Sequence, residues 1–526
     1  MLQRYQTLTG LPEDLAWSKY CGFLDLSASD FLKFQEQRLL GYLPQLAWSG
    51  VGSHLLNGRI PTSLQQFRRW APLTTYEDYA AFLKPEEAVG LPEPPVLWAH
   101  AVRPGAELAY IPYPQTAIDY LVESAVSLFL LASGGRLEPE DRVLFSLAPK
   151  PYLTGFIAER LVDRLHLQSI MGQSETDGLD FPVGIAEGFT RALGTGVDVV
   201  VGLTSVLQKM AEGFQAEAPR HRRLRDLARP VVAWRILRAW FLSKLAGRPI
   251  LPKDLWPVKA LICWGMDTDL YRRQLREAWG CDPYQFAATT EAGIFAVQVP
   301  GGSGLTFLPT PNFLEFLPEE EAFRATQAPA TCEPLLIDQL EPGKRYEVVI
   351  TSCNGMPFLR YRLGHMVEVL PPVGGEAHGQ LPLVRLAGRA DPLIDLGGFT
   401  RLDEQTLSRA LVGTGVPLRD WIARRELEEG APILKVYLEP MNGYPEDMEE
   451  HLHRSLVHHD RFYRDMDQML GLRPVRITPL AHGAFQRYYE RERGSGAAVH
   501  HFVRVNPSDA EIQMLLACSG GATPEG

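Results

Sequence analysis

The sequence predicts an α/β fold with a largely parallel sheet, followed by a smaller α+β segment. Three observations carry that expectation. From Val96 to about Leu386, short β-rich runs alternate with longer helical patterns, which is the text of layered α/β architecture. The 526 residues exceed what one core can organise, since domains run to roughly 100–200 residues. After GRADPLIDLGGFTRLDE, Gly388 to Glu404, the alternation gives way to mixed helices and strands.

In chain order, residues 1–90 read as helical, with Phe31, Phe34, Leu39, Leu40 and Leu43 at rough helical spacing. VLWAHA, LAYIPY, RVLFSLA, VDVVVGL and KALICWG are the strand candidates, with helical stretches such as Ala117–Leu131 and Leu270–Trp279 between them. LVESAVSLFLLASG, Leu121 to Gly134, carries Glu123 and is too short to span a bilayer, so it reads as a buried helix. In RYEVVITSCNGMPFLRYRLGHMVEVL, alternating strands flank Asn354-Gly355, the signal of a type I′ hairpin turn. A domain boundary is expected near Arg389–Asp391, dividing 1–388 from 389–526. ILKVYLEP and VRITPL are strands of the second part.

A hydrophobic content of 45% with 22% charged residues is ordinary globular composition. The net charge of -11 argues against a nucleic-acid partner, because backbone affinity rests on basic patches. The opening MLQRYQTLTGLPEDLAW has no apolar core followed by small residues, so a cytoplasmic protein without a membrane is expected. Six scattered cysteines without a C-x-x-C pair suggest free thiols in a reducing compartment. The basic amphipathic stretch Arg229 to Arg248 is expected to pack Trp234, Leu237 and Phe241 on its own domain; contact with a membrane or partner is the alternative. HLHRSLVHHD gathers His451, His453, His458 and His459, read as a solvated helix rather than a metal site. G-x-S-x-G, H-E-x-x-H and Walker loops do not occur in the sequence.

Three motifs carry chemistry. YQFAATTEAGIFA, Tyr284 to Ala296, puts two hydroxyls and a carboxylate after a predicted strand end, where open α/β sheets bind ligands. Thr289 and Thr290 suit a phosphate, and Glu291 a hard divalent cation. The same text satisfies a strand-to-helix turn with Thr290 as N-cap. In LRYRLGHMVEV, Arg360 and Arg362 alternate along a strand and Gly364 permits a turn that aims His365 at a ligand. Paired arginines suit carboxylate or phosphate; a solvated strand face is the other reading. In GRADPLIDLGG, Gly388 and Asp391 form a hinge or an ordinary linker.

Taken in order, TTEAG, YEVVIT…GMPFLRYRLG and the Gly-Arg-x-Asp stretch resemble the auxin-responsive (Gretchen Hagen type) acyl-acid amido synthetases. That family belongs to the adenylate-forming superfamily with acyl-CoA synthetases and luciferases. The likeness is greatest to bacterial members and spans nearly the whole chain, including GFLDLSASDFLKFQEQRL, PLTTYEDY, LPKDLWPVKALICWG and GAFQRYYERERGSGA. It implies a large N-terminal domain of layered α/β with a β-barrel part, then a small mobile α+β domain. It also implies ATP and Mg²⁺, a small carboxylic acid that is adenylated, and an amine or amino acid that displaces AMP to give an amide. By matching position, Thr290 and Glu291 serve phosphate and metal. Tyr284, Phe286, Ala287, Ala288 and Thr289 lie along the nucleotide with Arg362, His365 and Arg389. Tyr152, Thr154, Gly155, Thr204 and Ser205 line the acid pocket, and Gly388 and Asp391 form the hinge.

Three departures touch one ligand. The phosphate loop is AVRPGAE, Ala101–Glu107, without hydroxyls and with Pro104 removing an N–H; Gly105 remains and Arg103 offers a charge. His365 replaces the Asp that grips the ribose, and each lost bond to a charged acceptor costs roughly 1.5–3 kcal/mol. After Asp391 the single lysine is Lys435, so Arg487 or Arg504 would have to stand in at the adenylation centre. Adenylation with substitute contacts is the leading expectation. The alternatives are a degenerate relative that binds an acid or protein partner without ATP turnover, and acyl transfer from an already activated donor.

Overall fold

The computed structural model describes residues 8–87, 89–102, 108–147, 152–171, 181–217, 229–265, 268–302, 304–327, 332–371, 381–390, 393–396, 400–428, 431–441, 443–494, 504–507 and 509–520. The chain divides into two units, Met1–Ala101 with Ala109–Ala390, and Val102–Leu108 with Asp391–Gly526.

In the first unit, β1 (Leu97–Val102) and β2 (Leu108–Tyr113) form a two-stranded sheet. An eleven-stranded sheet follows from β3 (Arg142–Ser146), β4 (Gln168–Ser169), β5 (Val199–Leu203), β6 (Ala260–Trp264), β7 (Pro283–Thr289), β8 (Gly293–Gln298), β9 (Leu305–Phe307), β10 (Asn312–Pro318), β11 (Arg345–Ser352), β12 (Tyr361–Val369) and β13 (Val384–Arg389). Its order is β10-β11-β12-β13-β9-β8-β7-β6-β5-β3-β4. Pairing is parallel from β4 through β3, β5 and β6 to β7, and antiparallel beyond β7. The parallel expectation therefore holds for one half. The other half turns antiparallel because connections such as Thr290–Ala292 are too short for a crossover helix. Strands β5 and β6 carry no polar side chain, as suits strands covered on both faces.

Helices cover this sheet. Gln115–Ser133 is the one described helix long and apolar enough to cross a membrane, but most of it is buried, so it is a core helix as expected. It stops at Gly134, whose φ of +55° favours glycine. Helix Ala28–Trp48 starts on Ser27, whose hydroxyl accepts from the Asp30 N–H at 3.0 Å. Its buried face is Phe31, Gln35, Leu39, Tyr42, Leu43 and Leu46, a stripe from which the expected Phe34 is excluded. Gln35 is the buried amide on that stripe. It donates to the Asn312 carbonyl at 2.7 Å and accepts from the Leu314 N–H at 3.2 Å, fixing the helix to β10.

Two expectations are corrected here. β11 and β12 are antiparallel neighbours, but residues 353–360 separate them, and Asn354 is not among the described residues with positive φ. A type I′ turn needs positive φ at both central residues; only Gly355 supplies it, and Pro357 cannot extend the ladder. The second correction concerns helix Pro230–Leu245. Val232, Ala239 and Ser243 pack inward, while Trp234, Leu237 and Phe241 face solvent instead of the domain.

The second unit holds β14 (Ile394–Leu396) paired with β15 (Thr400–Leu402), and a sheet ordered β16 (Leu418–Glu428), β17 (Ala431–Pro440), β18 (Val475–Pro479). Leu434, Val436 and Leu438 of β17 share a core with Leu452 and Leu456 of helix Met448–His459 and Met466 of helix Arg461–Leu470. The histidine helix is not wholly solvated. His453 is buried, with Nδ1 2.9 Å from the Tyr463 hydroxyl and Nε2 3.4 Å from Asp467, while His451 pairs with Asp447 at 3.1 Å. Among the described residues no group of three or more His, Cys, Asp or Glu could hold a metal. The six cysteines are unbridged and five are buried. Burial pushes the Cys21, Cys263 and Cys353 thiols up to about 12, which keeps them inert at neutral pH.

Replacing Gln35 tests how the helical layer is tied to the sheet. Gln35→Ala strands the Leu314 N–H and Asn312 carbonyl in a dry interface, a loss of about 1–3 kcal/mol. Thermal unfolding followed by far-UV circular dichroism is expected to show a lower midpoint, whereas Phe34→Ala on the solvent side leaves it within error.

Candidate active site

The expected alternation of Arg360 and Arg362 along one strand is corrected by the structure: Arg362 lies on β12, whereas Arg360 occupies the bend just before it. Arg360 Nε lies 2.8 Å from Glu315 Oε2 and its Nη2 3.0 Å from Oε1, a bidentate pair with both side chains buried. Its Nη1 donates to the Arg68 and Ala71 carbonyls at 2.9 Å each. Arg360 holds this position at φ +42°, a left-handed backbone that only strong surroundings impose on a non-glycine residue. Arg362 pairs with Glu347 at 2.7 Å, equally buried, and donates to the Ala322 carbonyl. The solvated-face reading is thereby overturned, since an unpaired arginine would not be buried in a β-sheet core. The Arg362 fork is committed to Glu347, so it orders the site from behind.

Glu347 reaches one residue further. Its Oε1 accepts from the Gly364 N–H at 3.1 Å, and the Ala390 N–H donates to the Gly364 carbonyl at 2.8 Å. Gly364 sits at φ +70°, so a glycine is needed where the strand bends. The bend places His365 directly opposite Arg389 across β12 and β13, with its ring edge-on to Phe295 at 6.2 Å. Gly388 follows the same logic at φ +121°. His365, Gly388 and Arg389, chosen separately from the sequence, are thus neighbours. Arg103, Gly105 and Asp391 lie outside the described residues.

TTEAG is a β-hairpin turn, and the strand-to-helix alternative is overturned: β7 runs through Thr290–Ala292 straight into antiparallel β8. Three polar contacts lock it. Thr289 Oγ1 accepts from the Ala292 N–H at 3.0 Å, the Tyr113 hydroxyl donates to the Thr290 carbonyl at 2.6 Å, and Asn312 Nδ2 donates to the Ala292 carbonyl at 2.8 Å. Gly293 closes it at φ +67°, where a Cβ would also meet Leu121 at 3.2 Å. Burial, and then the Glu291 charge, push the Tyr113 phenol well above its ordinary value, so it remains a donor at any physiological pH. Thr290 and Glu291 stay half-exposed at the tip. Of the other β7 candidates, Tyr284, Phe286 and Ala287 are buried and Ala288 is partly so. The Tyr284 hydroxyl is tied to the Gln298 carbonyl.

The acid-pocket candidates fall at the carboxyl ends of the parallel strands. Thr204, directly after β5, is buried; its hydroxyl lies 3.1 Å from the Trp264 carbonyl and 2.7 Å from the Thr268 hydroxyl, and Thr268 in turn bonds the Gly265 carbonyl. Thr204 therefore ties the ends of β5 and β6 and opens helix Thr204–Glu217, with Ser205 next to it in the first turn. Gln285 Nε2 donates to the same Gly265 carbonyl at 3.2 Å, and Trp264 packs on Phe286 at 5.5 Å. Tyr152 caps helix Leu153–Arg164, which carries Thr154 and buried Gly155 in its first turn. The Tyr152 ring meets His100 edge-on at 6.1 Å, and His100 meets Tyr110 at 5.3 Å. Burial lowers the His100 pKa, leaving a neutral imidazole at pH 7. His100, Tyr110, Tyr113, Trp264 and Thr268, which the structure brings beside these candidates, were not among the residues the sequence nominated. Alternation along VLWAHA and LAYIPY was the available signal for His100 and Tyr110.

In the second unit, Arg487 Nε donates to the Cys518 carbonyl at 2.7 Å and Nη1 to the His482 carbonyl at 3.2 Å. Arg504 pairs with Asp420 and with Glu404. Lys435 lies on β17 near the Tyr437 ring. Both arginines nominated as lysine substitutes are engaged within their own unit.

Removing one partner of the buried pair tests its role. Arg360→Ala leaves buried Glu315 with only Arg68 Nε, 3.2 Å away, to answer its charge, and is expected to cost about 3 kcal/mol, whereas Arg360→Met with Glu315→Leu is expected to recover part of it while Arg68 keeps its bond to the Pro334 carbonyl. Chemical denaturation of the two variants measures the difference.

Residues 305–389, from β9 to β13, match the GH3 family central domain. Among curated proteins the chain is similar to jasmonoyl--L-amino acid synthetase GH3.5 of Oryza sativa subsp. japonica, 24% identical over 227 residues, or 40% of this chain and 38% of that protein. The match thus spans well under half of that relative's length. Among solved structures, a 2-hydroxyisobutyryl-CoA ligase in complex with 2-HIB-AMP and CoA is similar at 14% identity and a TM-score of 0.55, covering 90% of each chain. The AtGH3.15 acyl acid amido synthetase in complex with 2,4-DB is similar at 16% identity and a TM-score of 0.48, covering 93% of this chain and 95% of that one. The resemblance read from the sequence is supported where it is tested: residues 305–389 match a GH3 family central domain, and the fold as a whole is similar to that of the 2-hydroxyisobutyryl-CoA ligase.

Proposed function

We propose that this protein is an ATP-dependent acyl-acid amido synthetase. The carrying observation is the Thr290–Glu291 tip, held rigidly at the carboxyl end of β7, where the sheet changes from parallel to antiparallel. Ligands of open α/β sheets bind outside the carboxyl ends of the parallel strands. The GH3 family central domain, with His365 beside Arg389 at its edge, supports the same reading.

In the first half-reaction a carboxylate oxygen of the acid attacks the α-phosphorus of ATP and pyrophosphate leaves. In the second, an amine nitrogen attacks the acyl carbon, AMP leaves, and the nitrogen loses a proton. Catalysis of both steps is positioning and charge neutralisation. Glu291 presents one carboxylate, the number Mg²⁺ takes when phosphates and water supply its other oxygens. Bound there, the ion would neutralise charge on the phosphates. Thr290 presents a hydroxyl to the same phosphates, and Tyr113 fixes the backbone that aims both. Ala288, Thr289, His365 and Arg389 are the nucleotide contacts in this reading. Tyr152, Thr154, Gly155 and Ser205, with His100 and Tyr110, border the acid, while Thr204 and Arg362 position their neighbours. Arg487 is assigned no role at the reacting atoms.

Pyrophosphate release from MgATP with a panel of carboxylic acids, alongside nucleotide-dependent thermal shift, tests the proposal. Release is expected with at least one acid. Glu291→Ala lowers it about a hundredfold or more, with the melting midpoint retained. Absence of both release and shift at millimolar MgATP would leave a chain that holds the fold without adenylating. Tyr113→Phe frees the Thr290 carbonyl and loosens the tip, so turnover is expected to fall about tenfold with little change in KM. Unchanged turnover would show that Tyr113 only packs.

A further inference from the structure

Helix Pro230–Leu245 is apolar on both of its faces. One face is buried through Val232, Ala239 and Ser243. The other leaves Val231 54%, Trp234 67%, Leu237 55%, Trp240 51%, Phe241 61% and Leu245 78% exposed. At 3.6 residues per turn, Leu237, Phe241, Trp234 and Leu245 form one stripe opposite the buried face. Exposed Lys244 and Arg238 fall on its two borders. A helix apolar all round belongs in a core or in lipid, and soluble monomers rarely expose so continuous an apolar patch.

Charge identifies the occupant. The chain carries a net charge of -11, yet no Asp or Glu occurs between Asp226 and Asp254. Arg229, Arg235, Arg238, Lys244, Arg248 and Lys253 all lie in that interval. Arg248 is spent on Asp254 and Arg235 on the carbonyls of Leu193 and Gly194, whereas Arg229, Arg238 and Lys244 are exposed. A second copy of the helix would bring like charges together with no carboxylate to pair them. Tryptophan and phenylalanine bordered by cations suit the boundary between headgroups and acyl chains, with the cations reaching outward to phosphate.

We infer that helix Pro230–Leu245 is an interfacial helix that docks the protein on an anionic lipid surface, with Trp234, Leu237, Phe241 and Leu245 inserted and Arg238 and Lys244 against headgroup phosphates. The inference does not depend on ATP turnover and replaces the expectation that no membrane is met.

Co-sedimentation of the full chain with vesicles tests it. The protein is expected to pellet with equal parts phosphatidylcholine and phosphatidylglycerol, and to stay in solution with phosphatidylcholine alone. Binding is lost at about 1 M salt, where the screening length falls to ~3 Å. Trp234→Ser with Phe241→Ser, and separately Arg238→Glu with Lys244→Glu, each lower the bound fraction at least about tenfold, with wild-type melting midpoints because all four side chains are exposed. Failure to pellet with the anionic vesicles overturns the inference, as does binding that neither double variant changes. A dimer in sedimentation velocity that Trp234→Ser with Phe241→Ser dissociates, without vesicle binding, assigns the stripe to a second copy instead.

Discussion

Two arginines, Arg360 just before β12 and Arg362 on it, each closed over a buried glutamate, hold the antiparallel half of the large sheet in place. Arg360 binds Glu315 of β10 and the backbone after Trp70; Arg362 binds Glu347 of β11 and the carbonyl of Ala322. Neither pair need add net stability over an apolar replacement, because desolvating both ions offsets most of their attraction. Their effect is on arrangement. A bidentate fork accepts one orientation of its carboxylate, so the register of β10, β11 and β12 is fixed to the residue. Glu347 then passes that register to the Gly364 N–H, and through Gly364 to the bend that sets His365 against Arg389. The positive φ at Arg360 is the backbone strain of this arrangement, tolerated because so many partners hold its guanidinium.

The β7–β8 hairpin is built on the same plan with neutral groups. Thr289, Tyr113 and Asn312 each satisfy one backbone group of the turn. What is left over, the Thr290 hydroxyl and the Glu291 carboxylate, is half-exposed on a turn whose backbone is bonded at three points. Protein ligands for phosphate work best when reorganisation is already complete. A phenol kept protonated by burial and by a neighbouring carboxylate is a donor that pH does not switch off.

Much of the fold was legible because hydropathy periods report which side of an element is dry. LAYIPY and RVLFS became β2 and β3 at their expected places, and the helix predicted at Ala117–Leu131 extends only two residues further at each end. The candidate site was legible as segments and not as roles. Arg360 and Glu315 stand 45 residues apart, and an alternating arginine reads the same whether water, a phosphate or a buried carboxylate answers it. TTEAG has the composition of an N-cap, and only the antiparallel partner strand shows it to be a hairpin. Helix Pro230–Leu245 failed for the reverse reason. With apolar residues on both faces, its pattern names no inside, and tertiary packing alone decides that Val232 is covered and Trp234 is not.

The fate of the arginines bears on how a triphosphate can be handled at all. Adenylation brings a carboxylate onto a polyphosphate, so positive charge must be supplied from somewhere. Arg360 and Arg362 are spent on glutamates, and Arg504 on Asp420 and Glu404. Arg487 is held by two carbonyls, and a single lysine follows residue 391. On the proposed reading, a larger share of the neutralisation falls to a divalent ion at Glu291. Such a site depends more steeply on Mg²⁺ than one backed by a dedicated lysine, since a metal shared between one carboxylate and the phosphates is held mainly by the substrate. The same economy explains why the Glu291 turn is so heavily tied down: with few cations to pull the phosphates into place, the position of one carboxylate has to be right before the nucleotide arrives.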